Sequence, residues 1–479
     1  MEDCDANHST CKKLRTVPRL PTRILDVASH ARGSEVFLRN SNPEERADYV
    51  ALSYCWGGPQ NFTTTSNTLE SMINGISLNC LPRTILDAIM VTRKLGMRFL
   101  WIDSLCIVQD SGDDKIHELA AMGDVYKNAT VTVAAGNAKK VEDGFLSNRP
   151  MELCPIPITI ESNTSGTVYI AREERKHELD DPLFRRGWAF QEFILSRRVI
   201  LYDKFQVTFT CPTAEFRGFH SNSIKYDYDT KSEFSSIGQT QGQFDNGNTE
   251  KLKRHQLRKW KILIEEFSSR EFTYFENRLP AIAGTAKDLS ELWNEEYVAG
   301  MWRGFLIAQL GWCRLRGSST FMQNMQNLPH DPFPGIKARV GLPSWSWKTA
   351  PFAVAFDEVS RTDAKVIEHH IKLAASETPF GDVLEGSLAL SAKLILLSDS
   401  WLRTKGQGEL IWDYSWTANE VSDAHILYLG AGTAFRDIAL IVRRLQVDTF
   451  ERIGYATGTP YHPEIYNWKL RDTQTVVLI

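Results

Sequence analysis

The sequence predicts an α/β fold with a largely parallel sheet in its first half, followed by a mixed α+β second region. Three observations carry that reading. Strand and helix patterns alternate between Tyr49 and Ala134, a Gly/Gln/Asn-rich stretch lies at 238–250, and alternating apolar strands cluster late in the chain. At 479 residues the chain exceeds what one core usually holds, so two domains are expected.

Residues 1–45 read as a basic, loop-like leader. Tyr49-Val-Ala-Leu-Ser-Tyr-Cys55 has strand character and is stopped by the turn signal Trp56-Gly57-Gly58-Pro59. Pro82 stands where a helix can start, and Ile85, Leu86, Ile89, Met90 and Leu95 follow at helical spacing up to Gly96. Phe99–Ile102 suits a short buried strand, with Asp103 directly after it. Asp113 or Asp114 is expected to cap a second helix carrying Ile116, Leu119, Ala120 and Val125, whose Glu118 is expected on a solvated face. Ala129–Ala134 is rich in β-branched residues and reads as the third strand. Strand–helix–strand–helix–strand over this length implies βαβ crossovers.

A hairpin is expected between 150 and 180, then a mostly apolar helix over Gly187–Leu195 and strands at Arg198–Tyr202 and Gln206–Cys211. The stretch 238–250 holds little that can be buried and reads as the linker. Beyond it come a charged helix at Lys251–Phe267, a helical stretch at Trp293–Leu310 and a Pro/Asn-rich loop at 325–336. Trp345 and Trp347 alternate as on a strand and are expected to fill the second core. Leu388, Leu390, Ala392, Leu394 and Leu396 share one strand face, and strands continue to Tyr455.

The bulk numbers exclude several classes. A net charge of −4 argues against nucleic-acid binding held by bulk charge, and Glu265 and Glu266 follow the basic run Lys251–Lys261. The polar start lacks a signal-peptide core, and there is no apolar run of membrane-spanning length, so a cytoplasmic protein without membrane contact is expected. The eight cysteines are scattered without a CxxC pair and read as reduced, mostly buried thiols. His369-His370 has no ligand cluster at metal spacing, and no metal site is expected.

Several motifs carry a resemblance. Leu52-Ser-Tyr-Cys-Trp-Gly57, Leu81-Pro-Arg-Thr-Ile-Leu-Asp-Ala88, Leu100-Trp-Ile-Asp-Ser-Leu-Cys-Ile-Val-Gln-Asp110, Met122–Ala129 and Arg186-Gly-Trp-Ala-Phe-Gln-Glu192 occur in that order. Together they resemble the fungal heterokaryon-incompatibility (HET) domain. The likeness continues at Arg278–Gly284, Gly300–Trp302, Pro343–Trp347 and Arg452–Gly454. One position departs from it: the family usually has Trp where this chain has Lys115. The resemblance implies a HET domain over 46–237, with 251–479 as a mixed α+β C-terminal domain. It also implies a role in self/non-self recognition that triggers cell death, through self-association or a protein partner.

The HET domain is in turn distantly similar to the Toll/interleukin-receptor (TIR) domain, a flavodoxin-like fold. Some TIR domains cleave NAD with a Glu four residues after a Trp, the spacing of Trp188 and Glu192 here. No cofactor is required on this reading, and NAD is the candidate substrate.

The residues themselves give a chemical basis. A helix apolar nearly all round is buried, so Glu192 needs partners or a purpose, and Arg185, Arg186, Arg197 and Arg198 flank it. Either Glu192 is half of a structural Glu–Arg pair, or it is a catalytic carboxylate that stabilises an oxocarbenium ion. Asp103 ends a strand where α/β sheets bind ligands; it either accepts a ribose hydroxyl or caps the next turn. Trp56, Gly57 and Gly58 either stack on a ligand and offer backbone N–H groups to a phosphate, or form a plain turn. Trp188 and Gln191 share the face of Glu192 and complete the candidate ligand site. Cys106 with His117 is a weak thiol–base candidate. Three readings stay open: an interaction module, an NAD glycohydrolase, and a structural paralogue without a trigger.

Overall fold

The computed structural model describes residues 1–8, 11, 17–28, 34–147, 153–160, 164–171, 181–204, 206–213, 215–217, 249–315, 342–350, 352–397, 408–413, 421, 423–432, 436–458 and 471–479. The chain divides into two compact units, Met1–Tyr228 and Asp229–Ile479. Most of the 238–250 stretch, and all of the 325–336 loop, lie outside the described residues.

The first unit opens with helix α1 (Glu2–Asn7) and strands β1 (Arg23–Asp26) and β2 (Glu35–Asn40). These strands correct the expectation of a loop-like stretch. Ile24, Leu25, Val36 and Leu38 are buried, so the basic residues around them conceal a core contribution. Next come β3 (Tyr49–Ser53), α2 (Leu69–Asn74), β4 (Ile76–Ser77), α3 (Arg83–Lys94), β5 (Phe99–Trp101), α4 (Asp103–Cys106), α5 (Gly112–Asn128) and β6 (Val131–Ala134). After the expected hairpin of β7 (Leu153–Ile160) and β8 (Thr164–Ala171) come α6 (Pro182–Arg185), α7 (Ala189–Leu195), β9 (Val199–Tyr202), β10 (Val207–Thr210) and β11 (Glu215–Arg217).

Nine of these strands form one sheet in the order β11-β10-β9-β6-β3-β5-β1-β2-β4. Its middle, β9-β6-β3-β5, is parallel, and antiparallel strands extend both sides. Every residue of β3, β5 and β6 is buried, as parallel strands covered on both faces require. From β3 the chain crosses to β5 on one side, then returns through α5 to β6 on the other. The strand order therefore reverses between β3 and β6, and the carboxyl ends of these strands flank that point.

Two local expectations are corrected on α5. Ser111, rather than Asp113 or Asp114, caps the helix by accepting from Asp114 N at 3.3 Å. Glu118 is buried rather than solvated, with Arg23 Nη2 at 3.6 Å. The covering cation comes from β1, which the helical pattern of α5 alone does not reveal.

The second unit begins with α8 (Thr249–Ser268) and α9 (Ala283–Trp293). The helical stretch expected at Trp293–Leu310 is instead a tight hairpin, Tyr297–Val298 with Met301–Trp302, followed by a single turn at Leu306–Gln309. Ala299 and Gly300 take positive φ (47° and 92°), the twist that two-residue hairpin loops need. Trp345 and Trp347 are fully buried, but on a turn leading into a 3-10 segment rather than on a strand.

The late strands form a barrel-like sheet. Val383–Leu396, Ala424–Gly432, Asp437–Gln446, Thr449–Gly458 and Gln474–Leu478 pair in a ring, because the first strand meets both the second and the last. Leu388, Leu390, Ala392 and Leu394 are buried on the predicted face, while Leu396 is exposed at the strand end. The ring gives each of these five strands a partner on both sides, and Val359–Thr362, Lys365–Leu373 and Gly408–Trp412 pair onto it as additional strands.

Candidate functional site

The candidate site lies at the carboxyl ends of β3, β5 and β6. Helix α7 is buried along its whole length, as its apolar composition requires, and it carries Glu192 into this region at 2% exposure. Ser53, the last residue of β3, donates its hydroxyl to Glu192 Oε2. Tyr126 of α5, whose hydroxyl donates to Leu52 O at 2.9 Å, borders the same carboxylate. Burial pushes the Glu192 pKa up to about 7, further raised by Asp103 and opposed by Arg186, Ser53 and Tyr126.

Asp103, the first residue of α4, accepts two hydrogen bonds from within the chain. Its Oδ1 accepts from the adjacent Ser104 N at 2.7 Å, within its own turn, and its Oδ2 accepts the Trp56 indole N–H at 2.8 Å. Burial raises its pKa against the opposing pull of Arg186, Trp56, Ser104 and Tyr54. Beside it, Tyr54 OH donates to Ser104 Oγ at 2.8 Å and accepts from Gln60 Nε2 at 3.2 Å.

Arg186 acts electrostatically on both carboxylates. Its guanidinium donates to Tyr54 O. Burial works against its charge, but Glu192, Cys55 and Asp103 together outweigh that and hold its pKa above the ordinary value. Among the influences on Glu192, the charge of Arg186 is the largest that opposes its raised pKa. Arg198 turns away to Asp5.

Trp56, Asp103 and Glu192 therefore meet at one end of the sheet, with Arg186, Tyr54 and Tyr126 between them. Glu192 lies beneath, while Trp56, Asp103, Arg186 and Trp188 are half-buried. Trp188 stands at the start of α7 and its carbonyl accepts from Glu192 N at 3.4 Å, whereas Gln191 is buried. Gly57 and Gly58 are exposed in a turn packed against the 139–141 loop. Gly57 has φ +78°, and a Cβ there would meet Lys140 Cβ at 2.0 Å, so this turn requires glycine. Two surface grooves, one along Leu86 and Met90 of α3 and one beside Arg19 and Glu118, lie away from Glu192.

Residues 49–192 match the family model described as heterokaryon incompatibility protein (HET). The chain carries a HET domain. No curated protein and no solved structure matches the chain. Every residue of the polar centre falls within the HET match, from Ser53 to Glu192, the last residue of that match.

Two other groupings bear on the sequence reading of the HET domain. Cys106 is fully buried, accepts from Ile102 N at 3.5 Å, and burial pushes its thiol up to about 12, which removes it as a nucleophile. The expectation of no metal site missed a cluster, in which Cys4, His8, Cys11 and Cys211 place one ligand atom each within 4.8 Å of one another. The signal for three of them was present as C-x3-H-x2-C at the start of the chain. The fourth is some 200 residues away, and only the fold supplies it.

Among the described residues, no helix is long and apolar enough to cross a membrane.

Proposed function

We propose that this chain is a signalling module of fungal heterokaryon incompatibility, acting in self/non-self recognition to trigger cell death through self-association or a protein partner in the cytoplasm. The observation that carries the reading is the HET match over 49–192, with a charged centre built from its motif residues. A group of two carboxylates and one guanidinium, largely withdrawn from water, is costly, and on this reading a change of state of the domain depends on it. The test is expression in a fungal host of wild type and Glu192→Gln at matched protein levels. Death with wild type and survival with the variant is expected. Survival in both cases would remove the trigger and leave a structural paralogue.

The convergence of Glu192, Asp103 and Trp56 favours a second reading, compatible with the first: an NAD glycohydrolase. The order of the four parallel strands, second-first-third-fourth, supports the flavodoxin-like, TIR-like architecture this reading assumes. In that reaction the bond between ribose C1′ and the nicotinamide nitrogen breaks. Nicotinamide leaves neutral with the bonding pair, so no general acid is needed. Ionised Glu192 stabilises the ribosyl cation, and water captures it, its proton passing to solvent. Asp103 accepts from a ribose hydroxyl, Trp56 and Trp188 pack against the rings, Gln191 supports the face of Glu192, and Gly57 and Gly58 offer N–H groups to phosphate.

Because Glu192 is closed off in this conformation, the reading requires an opening step. Nicotinamide release from NAD, measured at low and high protein concentration, tests it. Release that Glu192→Gln abolishes, rising through about pH 7 as the carboxylate ionises, is expected. No release from folded protein at any concentration would sink the enzyme reading and leave the signalling one standing.

A further inference from the structure

We propose that Cys4, His8, Cys11 and Cys211 form a Cys3His zinc site that staples the start of the chain to the end of strand β10. The four ligand atoms lie within 4.8 Å of one another, and His8 Nδ1 stands 3.4 Å from Cys211 Sγ and 3.9 Å from Cys11 Sγ. Ligands at ordinary zinc distances around a tetrahedral ion are separated by about 3.6–3.8 Å, so the observed spacings need only small adjustments in either direction. All three sulfurs belong to buried residues, with Phe209 packed against them. Three thiolates and an imidazole select zinc over the hard cations, which prefer oxygen.

The surroundings fit the charge of a loaded site. Zinc with three thiolates and a neutral imidazole carries one net negative charge. Arg198 lies against Cys4 as a hydrogen-bond partner, and it is held in turn by Asp5. That is the kind of outer-shell cation that balances the charge and orients a ligand sulfur. Cys11 Sγ also lies 3.6 Å from Thr213 Oγ1, two residues beyond Cys211, so both flanks of the site are tied to the same strand end.

The fold explains why a staple is useful there. Helix α1 has six residues and buries only Cys4, far below the length at which a helix stands alone in water. Strand β10 lies in the antiparallel margin of the sheet, beyond β9. A metal joining residues 4–11 to residue 211 closes a loop of some 200 residues, and loading it stabilises the whole HET unit.

The test uses the full chain, purified in reductant without chelators. Elemental analysis should find about one zinc per chain. Exchange for Co(II) should give the intense visible bands of a tetrahedral ion together with a thiolate-to-metal charge-transfer band. Chelator should lower the thermal midpoint of unfolding, and added zinc should restore it. Cys211→Ser and His8→Ala should lose the metal, while Cys80→Ser, at an exposed cysteine outside the cluster, should keep it. If those two variants fail to fold, the Co(II) spectrum of the wild type still decides. Folded wild type with neither zinc nor a tetrahedral thiolate spectrum would overturn the proposal. So would zinc retained by folded Cys211→Ser or His8→Ala, or a disulfide between two of the three thiols.

Discussion

Both units bury charge, and they do so in opposite ways. In the second unit Arg452 and Asp413 are sealed from solvent, with side-chain exposures of 0% and 3%, and Arg452 Nε donates to Asp413 Oδ2 at 2.9 Å. The remaining donors of Arg452 reach Leu310 O at 2.7 Å and Trp312 O, and its guanidinium lies 3.2 Å from the centre of the Trp312 ring. One cation, one carboxylate and two carbonyls leave little unanswered. The HET centre instead holds two carboxylates against one guanidinium, and Arg186 gives a donor to the Tyr54 carbonyl. The first arrangement is a finished structural pair. In the second, burial raises the pKa values of both Glu192 and Asp103, and for Glu192 the neighbouring Asp103 charge adds to that rise.

If that contrast is right, breaking the finished pair does the most damage. Arg452→Met strands Asp413 in the interior and should cost about 3–5 kcal/mol, read as a lower urea midpoint for unfolding. Adding Asp413→Leu removes the stranded charge and should recover more than about 1 kcal/mol, although the Leu310 and Trp312 carbonyls still lack their donor. A double variant no more stable than the single one would show that the pair's electrostatics are not what matters there.

In the HET centre, removing a charge should stabilise. The unfolded Glu192 carboxyl loses its proton near 4.5, whereas the folded one holds it to about 7. Between those values the folded state binds the extra proton, so wild-type stability falls as pH rises through the window and is flat above it. Glu192→Gln does not titrate and keeps an acceptor for the Ser53 hydroxyl. The variant should match wild type at pH 4 and exceed it at pH 8 by up to about 3 kcal/mol. A variant less stable than wild type across the whole range would mean that ionised Glu192 makes interactions that outweigh the cost of its burial.

How much of this was legible in the sequence follows the range of the interactions involved. The parallel strands were readable because β3, β5 and β6 are short apolar runs with turn residues at their ends. Glu192 was readable as a buried acid because its helix is apolar on every face. The fate of Glu118 was not, since its cation comes from Arg23, more than 90 residues earlier in the chain. The strands β1 and β2 were masked by Arg and Glu side chains around few apolar positions. Arg186 could be named beforehand as one of four flanking arginines, but choosing among them needed the position of Tyr54. The helix expected near Trp293–Leu310 failed on backbone conformation. Ala299 adopts φ 47°, which an alanine does not advertise.

The finest test separates the two carboxylates of the HET centre. Asp103 raises the Glu192 pKa by repulsion, and Arg186 lowers it by attraction. Asp103→Asn removes the repulsion while leaving an oxygen to accept the Trp56 indole N–H, so the Glu192 midpoint should fall from about 7 by roughly half a unit. Arg186→Met removes the attraction and should move it upward. Carbon NMR of the glutamate carboxyls, assigned by comparison with Glu192→Gln, reads both shifts directly. Opposite movements would establish that the two acids share one cation. A midpoint unmoved by Asp103→Asn would leave burial as the cause of the raised pKa and make Asp103 a cap for its own turn.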